Sequence, residues 1–356
     1  MLSRRGFFAA LFGIAFAVPN ARALWVKNVE YIPVSKLAQL CGMRYKTTVA
    51  KKSQTVFGKT SRMTFEKNSR AMDLNGITVW LGHAVVESKG MLYVAKRDYF
   101  KSIIPILFPQ NNGTPPKLFH IFIDAGHGGK DRGAYNKTYK LSEKAVNLDI
   151  ALRLGRELKK NGYKVSYSRT RDEFIELADR PKKANALRAD LMVSVHCNAA
   201  SPSISGIETF ALTPRAMPST TSRGVSKSDH VAYDGHSNDE WNQLLAYYIQ
   251  RSLHYTTRSP DRGVKRARFA VLKSPKMPAT LVECGFISNN YECKNMATAA
   301  YRQRIATTIA NAIMNYHAKR LPQSRTDSAK KTPLPFRARS FAFSEVDLFK
   351  ESPTLP

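Results

Sequence analysis

Past residue 117 the chain alternates short apolar runs with longer segments whose apolar residues recur every third or fourth position. "LFHIFID", "YKVSYS", "DLMVSVH", "GIETFAL", "RFAVL" and "ATLVEC" have strand length and are rich in β-branched and aromatic residues. Between them the spacing predicts a helix from about Glu143 to Lys160, with Val146, Ile150, Leu154 and Leu158 on one face and Gly162 just past its end. "KKANALRA" is a shorter helical piece. A second long helix runs from the cap-type residue Asn238 through Trp241, Leu244, Leu245, Tyr248, Ile249 and Leu253, and a third over about 299–317 aligns Ile305, Ile309, Ile313 and Tyr316. Apolar strands alternating with one-sided helices predict an α/β fold over residues 118–320: a single twisted, mostly parallel or mixed sheet flanked by helices.

Residues 24–107 follow a different rhythm. "TSRMTF", "GITVWLG" and "GMLYVAKRDYF" alternate with period two between Gly, Asn and Lys positions, and "VSKLAQLCG" reads as a short helix before them. This predicts a small β-rich N-terminal domain. It holds no cluster of histidines and carboxylates, so it is read as a binding or positioning module rather than a second enzyme. Residues 108–117, beginning "FPQNNGTPP", are the linker expected between the two parts.

The ends are set apart from the fold. Arg4 and Arg5, the uncharged run from Phe7 to Val18, and Ala21-Arg22-Ala23 have the order of a secretory signal, with cleavage expected after Ala23. The run is too short for a stable membrane span, which needs about 20 apolar residues. Ser3-Arg4-Arg5-Gly6-Phe7-Phe8 is similar to the twin-arginine export motif, which implies a periplasmic location. Residues 321–356 are basic, rich in Pro and Ser, and read as a flexible tail.

Charge narrows the partners. A formal net charge of +29, spread along the chain, favours polyanions. Export makes an anionic envelope polymer the expected one, and not nucleic acid. Cys41, Cys197, Cys284 and Cys293 form no CxxC pair or dense disulfide framework; they read as buried thiols or at most one oxidised pair.

"IDAGHGG" at 123–129 lacks the GxGxxG and GxxxxGK[ST] patterns of phosphate loops. Its significance lies in company. His127 lies just beyond the first predicted strand, Glu143 opens the first helix, His196 closes the third strand and Glu283 nearly closes the last. In open α/β sheets such strand ends gather a site. A catalytic zinc commonly takes three protein ligands, two histidines and a glutamate being an established set, and leaves a position for water. His127, Glu143 and His196 would fill that set, with Glu283 free to move a proton. Asp124 is a candidate for ordering the glycine loop or tuning a ligand. Asn198 is a candidate donor to substrate, and Arg262, Lys265 and Arg266 in "SPDRGVKRARF" are candidates for substrate carboxylates.

"IDAGHGGKDRGA", "LSEKAVNLDIALRL", "GYKVSYSRTRD", "MVSVHCNAA", "GIETFAL" and "PATLVECGFISN" together closely resemble the zinc-dependent N-acetylmuramoyl-L-alanine amidases, over about residues 118–317. The resemblance implies one zinc ion held by His127, Glu143 and His196, catalysis by Glu283, and peptidoglycan as substrate, cut between N-acetylmuramic acid and L-alanine. It also implies a role in cell-wall remodelling or daughter-cell separation. The β-rich segment is similar to small repeated domains found beside several cell-wall enzymes. Another zinc peptidase or deacylase, and a basic envelope-binding protein without catalysis, stand as the alternatives. In some members of the family a helix covers the zinc until an activator removes it. Here "TPRAMPSTTSRGVSKSDHVAYDGHS", residues 213–237, has no apolar repeat and reads as a loop, so an activator is not implied. The loop is expected to shape the substrate groove, with His230 and His236 fixing it.

Overall fold

The structure is a computed structural model that describes residues 23–48, 53–222 and 224–318; the expected signal peptide and basic tail lie outside these residues, apart from Ala23 at the cleavage site. Among the described residues eleven strands form one mixed sheet. From one edge it runs Lys164–Tyr167, His120–Ala125, Leu191–Asn198, Ala279–Phe286, Ile207–Leu212 and Asp261–Ala267. It continues without a break through Ile77–Trp80, Ala71–Leu74, Arg62–Glu66, Ser53–Phe57 and Arg44–Thr48. A smaller antiparallel sheet is made from Leu24–Val26, Val29–Pro33, Met91–Ala95 and Val86–Ser88.

The helix periodicities identified the packing faces. Glu143–Lys160 buries Val146, Ile150, Leu154 and Leu158 in one cluster with the faces of Asp239–Thr257 and Ala299–His317. These three helices cover one side of the sheet from Lys164–Tyr167 to Ile207–Leu212. The other side is covered by two short helices, Asp179–Ala186 and Ala270–Lys273, against Phe122, Met192, Phe210 and Leu281. Strands His120–Ala125, Leu191–Asn198 and Ala279–Phe286 are mutually parallel, so their carboxyl ends open at one edge.

Two expectations need correction. "RFAVL" is not a strand: the strand is the preceding Asp261–Ala267, and Ala270–Lys273 is helical. Its Arg and Lys content hid a strand at the centre of the sheet, where Arg266 is buried. The β-rich region is also not a body hung on a linker. Val264 pairs in parallel with Val79, Thr78 N donates to Asp261 Oδ2 at 2.7 Å, and Trp80 Nε1 donates to the Arg262 carbonyl at 2.9 Å. Ala246 and Tyr247, on the helix Asp239–Thr257, pack into a core with Val56, Phe65, Leu74 and Val79. That helix is therefore apolar on two sides and serves both halves, and the described residues form one compact unit.

The seam generates the first prediction. Tyr247 is fully buried and donates its hydroxyl to the Leu74 carbonyl at 3.1 Å. Truncating a large buried aromatic costs about 3–5 kcal/mol, so Tyr247→Ala should lower the denaturation midpoint strongly. Wild-type protein should unfold in one calorimetric transition. Two separated transitions, with the variant shifting only one, would contradict a shared core.

Candidate metal centre

His127 is built on a strained turn. Its φ is 60°, the left-handed region that a residue with a Cβ adopts at a cost of about 1–3 kcal/mol. Reciprocal backbone bonds close the turn, Gly128 N to Asp131 O at 2.8 Å and Asp131 N to Gly128 O at 3.1 Å. In this conformation His127 Nδ1 meets Asp131 Oδ2 at 2.7 Å, and Nε2 faces Glu143 Oε1 at 3.1 Å. Burial favours the neutral ring, but Glu143 and Asp131 outweigh it and raise its pKa. Glycine is required close by. A Cβ on Gly126 would run into the His196 ring, and one on Gly133, at φ +64°, would stand 2.7 Å from Glu143 Oε2.

Glu143 opens its helix, where the helix dipole favours a negative charge. Oε1 lies 3.1 Å from both His127 Nε2 and His196 Nδ1, and also accepts from Cys197 N at 3.2 Å. Oε2 accepts from Ala134 N at 2.9 Å. Burial alone would raise this carboxyl, but the hydrogen bonds from His127 and His196 hold it well below the usual carboxylate range.

One ligand atom from each of His127, Glu143 and His196 falls within 4.8 Å of the others. Zinc with bonds of about 2.0–2.1 Å separates neighbouring tetrahedral ligands by about 3.3 Å. The two 3.1 Å separations around Glu143 are near that value, and the imidazole and carboxylate donors are of the type zinc takes. The residues fit a single zinc ion.

Glu283 stands beside this set. It pairs in register with His196 on one neighbouring strand and with Glu208 on the other, so the three side chains share a face of the sheet. Its Oε2 is sealed from solvent and has no hydrogen-bond partner. Burial, then the Glu143 and Glu208 carboxylates, push the Glu283 carboxyl well above its usual range, against a smaller pull from Lys265. A carboxylate so placed holds a proton more tightly than an exposed one does.

The remaining candidates serve the framework. Asp124 is fully buried and accepts from Arg180 Nη1 at 2.8 Å and Ser194 Oγ at 2.6 Å, which orders the loop from beneath. Asn198, half-buried, donates to Glu208 Oε2 at 3.3 Å. Arg262 and Lys265 each donate to Glu208 Oε1 at 2.7 Å. A bulge lets residues three apart reach one carboxylate: between Ile207 and Thr209 the next strand advances from Asp261 to Val264. Arg266 is 3% exposed and donates to the Leu212 and Lys101 carbonyls, so it is a structural residue and not a substrate contact. Burial lowers its pKa to about 10. All four cysteines are buried and unpaired in the structure.

The 213–237 segment also sits elsewhere than expected. Strand Ile207–Leu212 runs antiparallel to Ala279–Phe286, so the segment leaves at the end of the sheet opposite Glu283. Arg70 donates to the Ser219, Thr220 and Ser222 carbonyls, which ties it to the β-rich region. His236 fixes the loop through Tyr233 N and the Thr213 carbonyl. It does not shape a groove at the metal residues.

Four residues escaped the sequence reading: Asp131, Arg169, Arg180 and Glu208. Arg169 and Arg180 are each 1% exposed and hold the carbonyls of Ala125, Gly126 and His127. Only the local motif "GHGGKD", with a carboxylate four residues after the histidine, offered a signal for Asp131. Nothing local marks the other three.

Residues 121–315 match the family model described as N-acetylmuramoyl-L-alanine amidase. The N-acetylmuramoyl-L-alanine amidase AmiA of Salmonella typhimurium is 33% identical over 258 residues, which covers 66% of this chain and 89% of that protein. AmiC of Escherichia coli O6:H1, an enzyme of the same description, is 38% identical over 220 residues; the match covers 56% of this chain and about half, 52%, of that relative. The crystal structure of an N-acetylmuramoyl-L-alanine amidase from Clostridium difficile 630 aligns at 33% identity with a TM-score of 0.47, covering 56% of this chain and 96% of that one.

Asp131 fixes which nitrogen of His127 is presented to Glu143 and His196. Loss of such a partner typically weakens metal binding 10–100-fold. Asp131→Ala should therefore raise the zinc dissociation constant by about that factor in a chelator competition, with the far-ultraviolet spectrum unchanged. Wild-type affinity in the variant would remove Asp131 from the metal site.

Proposed function

Because this chain belongs to the N-acetylmuramoyl-L-alanine amidase family, we propose that it is a zinc hydrolase cutting the amide between N-acetylmuramic acid and L-alanine in peptidoglycan. The carrying observation is the convergence of the His127, Glu143 and His196 ligand atoms within 4.8 Å, beside Glu283, whose buried Oε2 has no hydrogen-bond partner.

His127 Nε2, Glu143 Oε1 and His196 Nδ1 would hold the ion. Bound zinc supplies the Lewis-acid chemistry that makes water nucleophilic near neutral pH and polarises the scissile carbonyl. The protein supplies the rest. Asp131 holds the His127 ring, and Cys197 N and Ala134 N hold the Glu143 carboxylate. Glu283, its proton affinity raised by burial and then by its two carboxylate neighbours, takes the proton from the attacking water. As the C–N bond breaks, it gives that proton to the departing L-alanine nitrogen. Glu208, paired with Arg262 and Lys265, stands across from Glu283 on the same face of the sheet.

We further propose export to the periplasm through the twin-arginine route, on the pattern around Arg4 and Arg5, and attraction to anionic envelope polymers, on the net charge of +29. Residues 118–320 are the catalytic portion. The 24–107 region braces it and adds basic surface.

Removing zinc with a chelator should abolish release of stem peptides beginning at L-alanine from purified peptidoglycan, and added zinc should restore it, as read by mass spectrometry. Glu283→Gln should lower turnover by roughly 10²–10⁴-fold while keeping full zinc content. Glycan fragments or shortened peptides as products would refute the amide assignment. Replacing Arg4 and Arg5 by lysine should leave uncleaved precursor in the cytoplasm; unaltered export would eliminate the twin-arginine route.

A further inference from the structure

We propose that Arg132 is a specificity residue of this site, receiving a free carboxylate of the peptide part of the substrate; the inference rests on the amidase reading and names what that site selects. Arg132 lies in the metal loop itself. Asp131, before it, holds His127. Gly133, after it, approaches Glu143 so closely that a Cβ there would stand 2.7 Å from Oε2, and Ala134 N donates to the same oxygen. Arg132 thus stands within two residues of contacts to two of the three ligand side chains. Its carbonyl accepts from Lys144 N at 3.3 Å, which pins its backbone to the helix that Glu143 opens.

The side chain is exposed, and its guanidinium carbon lies 4.3 Å from the centroid of the Tyr135 ring. A cation–π contact of this kind restrains the guanidinium while its N–H groups stay able to donate. No carboxylate among the described residues pairs with it. The other guanidinium groups around the centre are engaged: Arg169 and Arg180 on backbone carbonyls and Asp124, Arg262 on Glu208. A planar fork held against Tyr135 and without a carboxylate partner, on the loop that carries His127, matches a planar carboxylate, which it can bind through two parallel hydrogen bonds. On the substrate, the muramic carboxyl is already consumed in the scissile amide. The free carboxylates near that bond lie on the peptide side.

Lys130 provides the control. It is exposed on the same loop, on the other side of Asp131, with Nζ 4.4 Å from the Phe174 ring centroid. Lys130→Ala removes the same charge from the same loop without removing the fork. A built subsite requires the geometry of Arg132, whereas a diffuse positive field responds to either residue.

The probes are N-acetylmuramoyl-L-alanyl-D-glutamate with both carboxylates free and its diamide. Binding is measured by calorimetry on the zinc-loaded Glu283→Gln protein, and kcat/KM is measured with Glu283 intact. The diacid should be preferred over the diamide about 10-fold, the factor expected for one added charge-assisted contact. Arg132→Ala should bring that ratio close to one in both measurements, Arg132→Lys should retain part of it, and Lys130→Ala should keep it. A ratio undiminished in Arg132→Ala, or lowered equally by Lys130→Ala, would overturn the inference and leave the amidase reading intact. Failure of the wild-type protein to cleave either probe or peptidoglycan would instead overturn the amidase reading and this inference with it.

Discussion

Two guanidinium groups with almost no access to solvent hold the metal loop in place, and the geometry of the centre depends on them. Arg169 donates to the carbonyls of Ala125, Gly126 and Lys144, and Arg180 to those of Ala125, His127 and Ile175 and to Asp124. The chain leaves strand His120–Ala125 through a turn that satisfies few of its own carbonyls, and a buried carbonyl without a donor costs about 1–3 kcal/mol. The arginines remove that cost and offset the left-handed strain at His127. Asp124 balances Arg180: burial would raise its carboxyl, but Arg180 and Ser194 lower it and keep it ionised. A hydrophobic pair of similar volume could fill this space but could not cap three successive carbonyls.

Around this brace, charge is organised on two scales. The whole chain carries +29, yet the centre is locally acidic, with Glu143, Glu283, Glu208 and Asp131 gathered at one edge of the sheet. A dication is welcome there and an additional buried carboxylate is not. Arg262 and Lys265 form ion pairs with Glu208, whereas Glu283 makes no ion pair among the described residues, and burial and its carboxylate neighbours raise its proton affinity against a smaller pull from Lys265. The positive field acts at the range of a Debye length, about 8 Å at physiological salt, and concerns approach. The local negative cluster concerns what happens after arrival.

Much of this was legible in the sequence because the signals are local. Val146, Ile150, Leu154 and Leu158 mark a helix face by spacing alone, and the ligand set stands at element ends that a parallel sheet must bring together. What was not legible depended on partners distant in the chain. Arg169 and Arg180 carry no local sign of burial, since an arginine is ordinarily exposed until its acceptors are known. The strand Asp261–Ala267 was hidden for the same reason. Its cations read as a solvated segment, whereas Arg266 is buried on Leu212 and Lys101 carbonyls and Lys265 on Glu208. The linker reading erred because Pro and Gly mark a turn in the chain, and say nothing of whether the strands on either side later pair.

That pairing changes how the β-rich region bears on the site. Without it, Asp261–Ala267 would be an exposed edge strand, open to pairing with another chain. Ile77–Trp80 covers that edge, and Trp80 and Thr78 are bonded to the residues flanking the bulge that aims Arg262 and Lys265 at Glu208. The route from the β-rich region to Glu283 is therefore short: Thr78 to Asp261, Arg262 to Glu208, Glu208 beside Glu283. The loop tied to Arg70 lies at the far end of the same strands and is not on that route. A region that supplies the neighbouring strand for the bulge is thus joined through the sheet to the strand that carries Glu283, and its structural role does not depend on whether it also binds a partner.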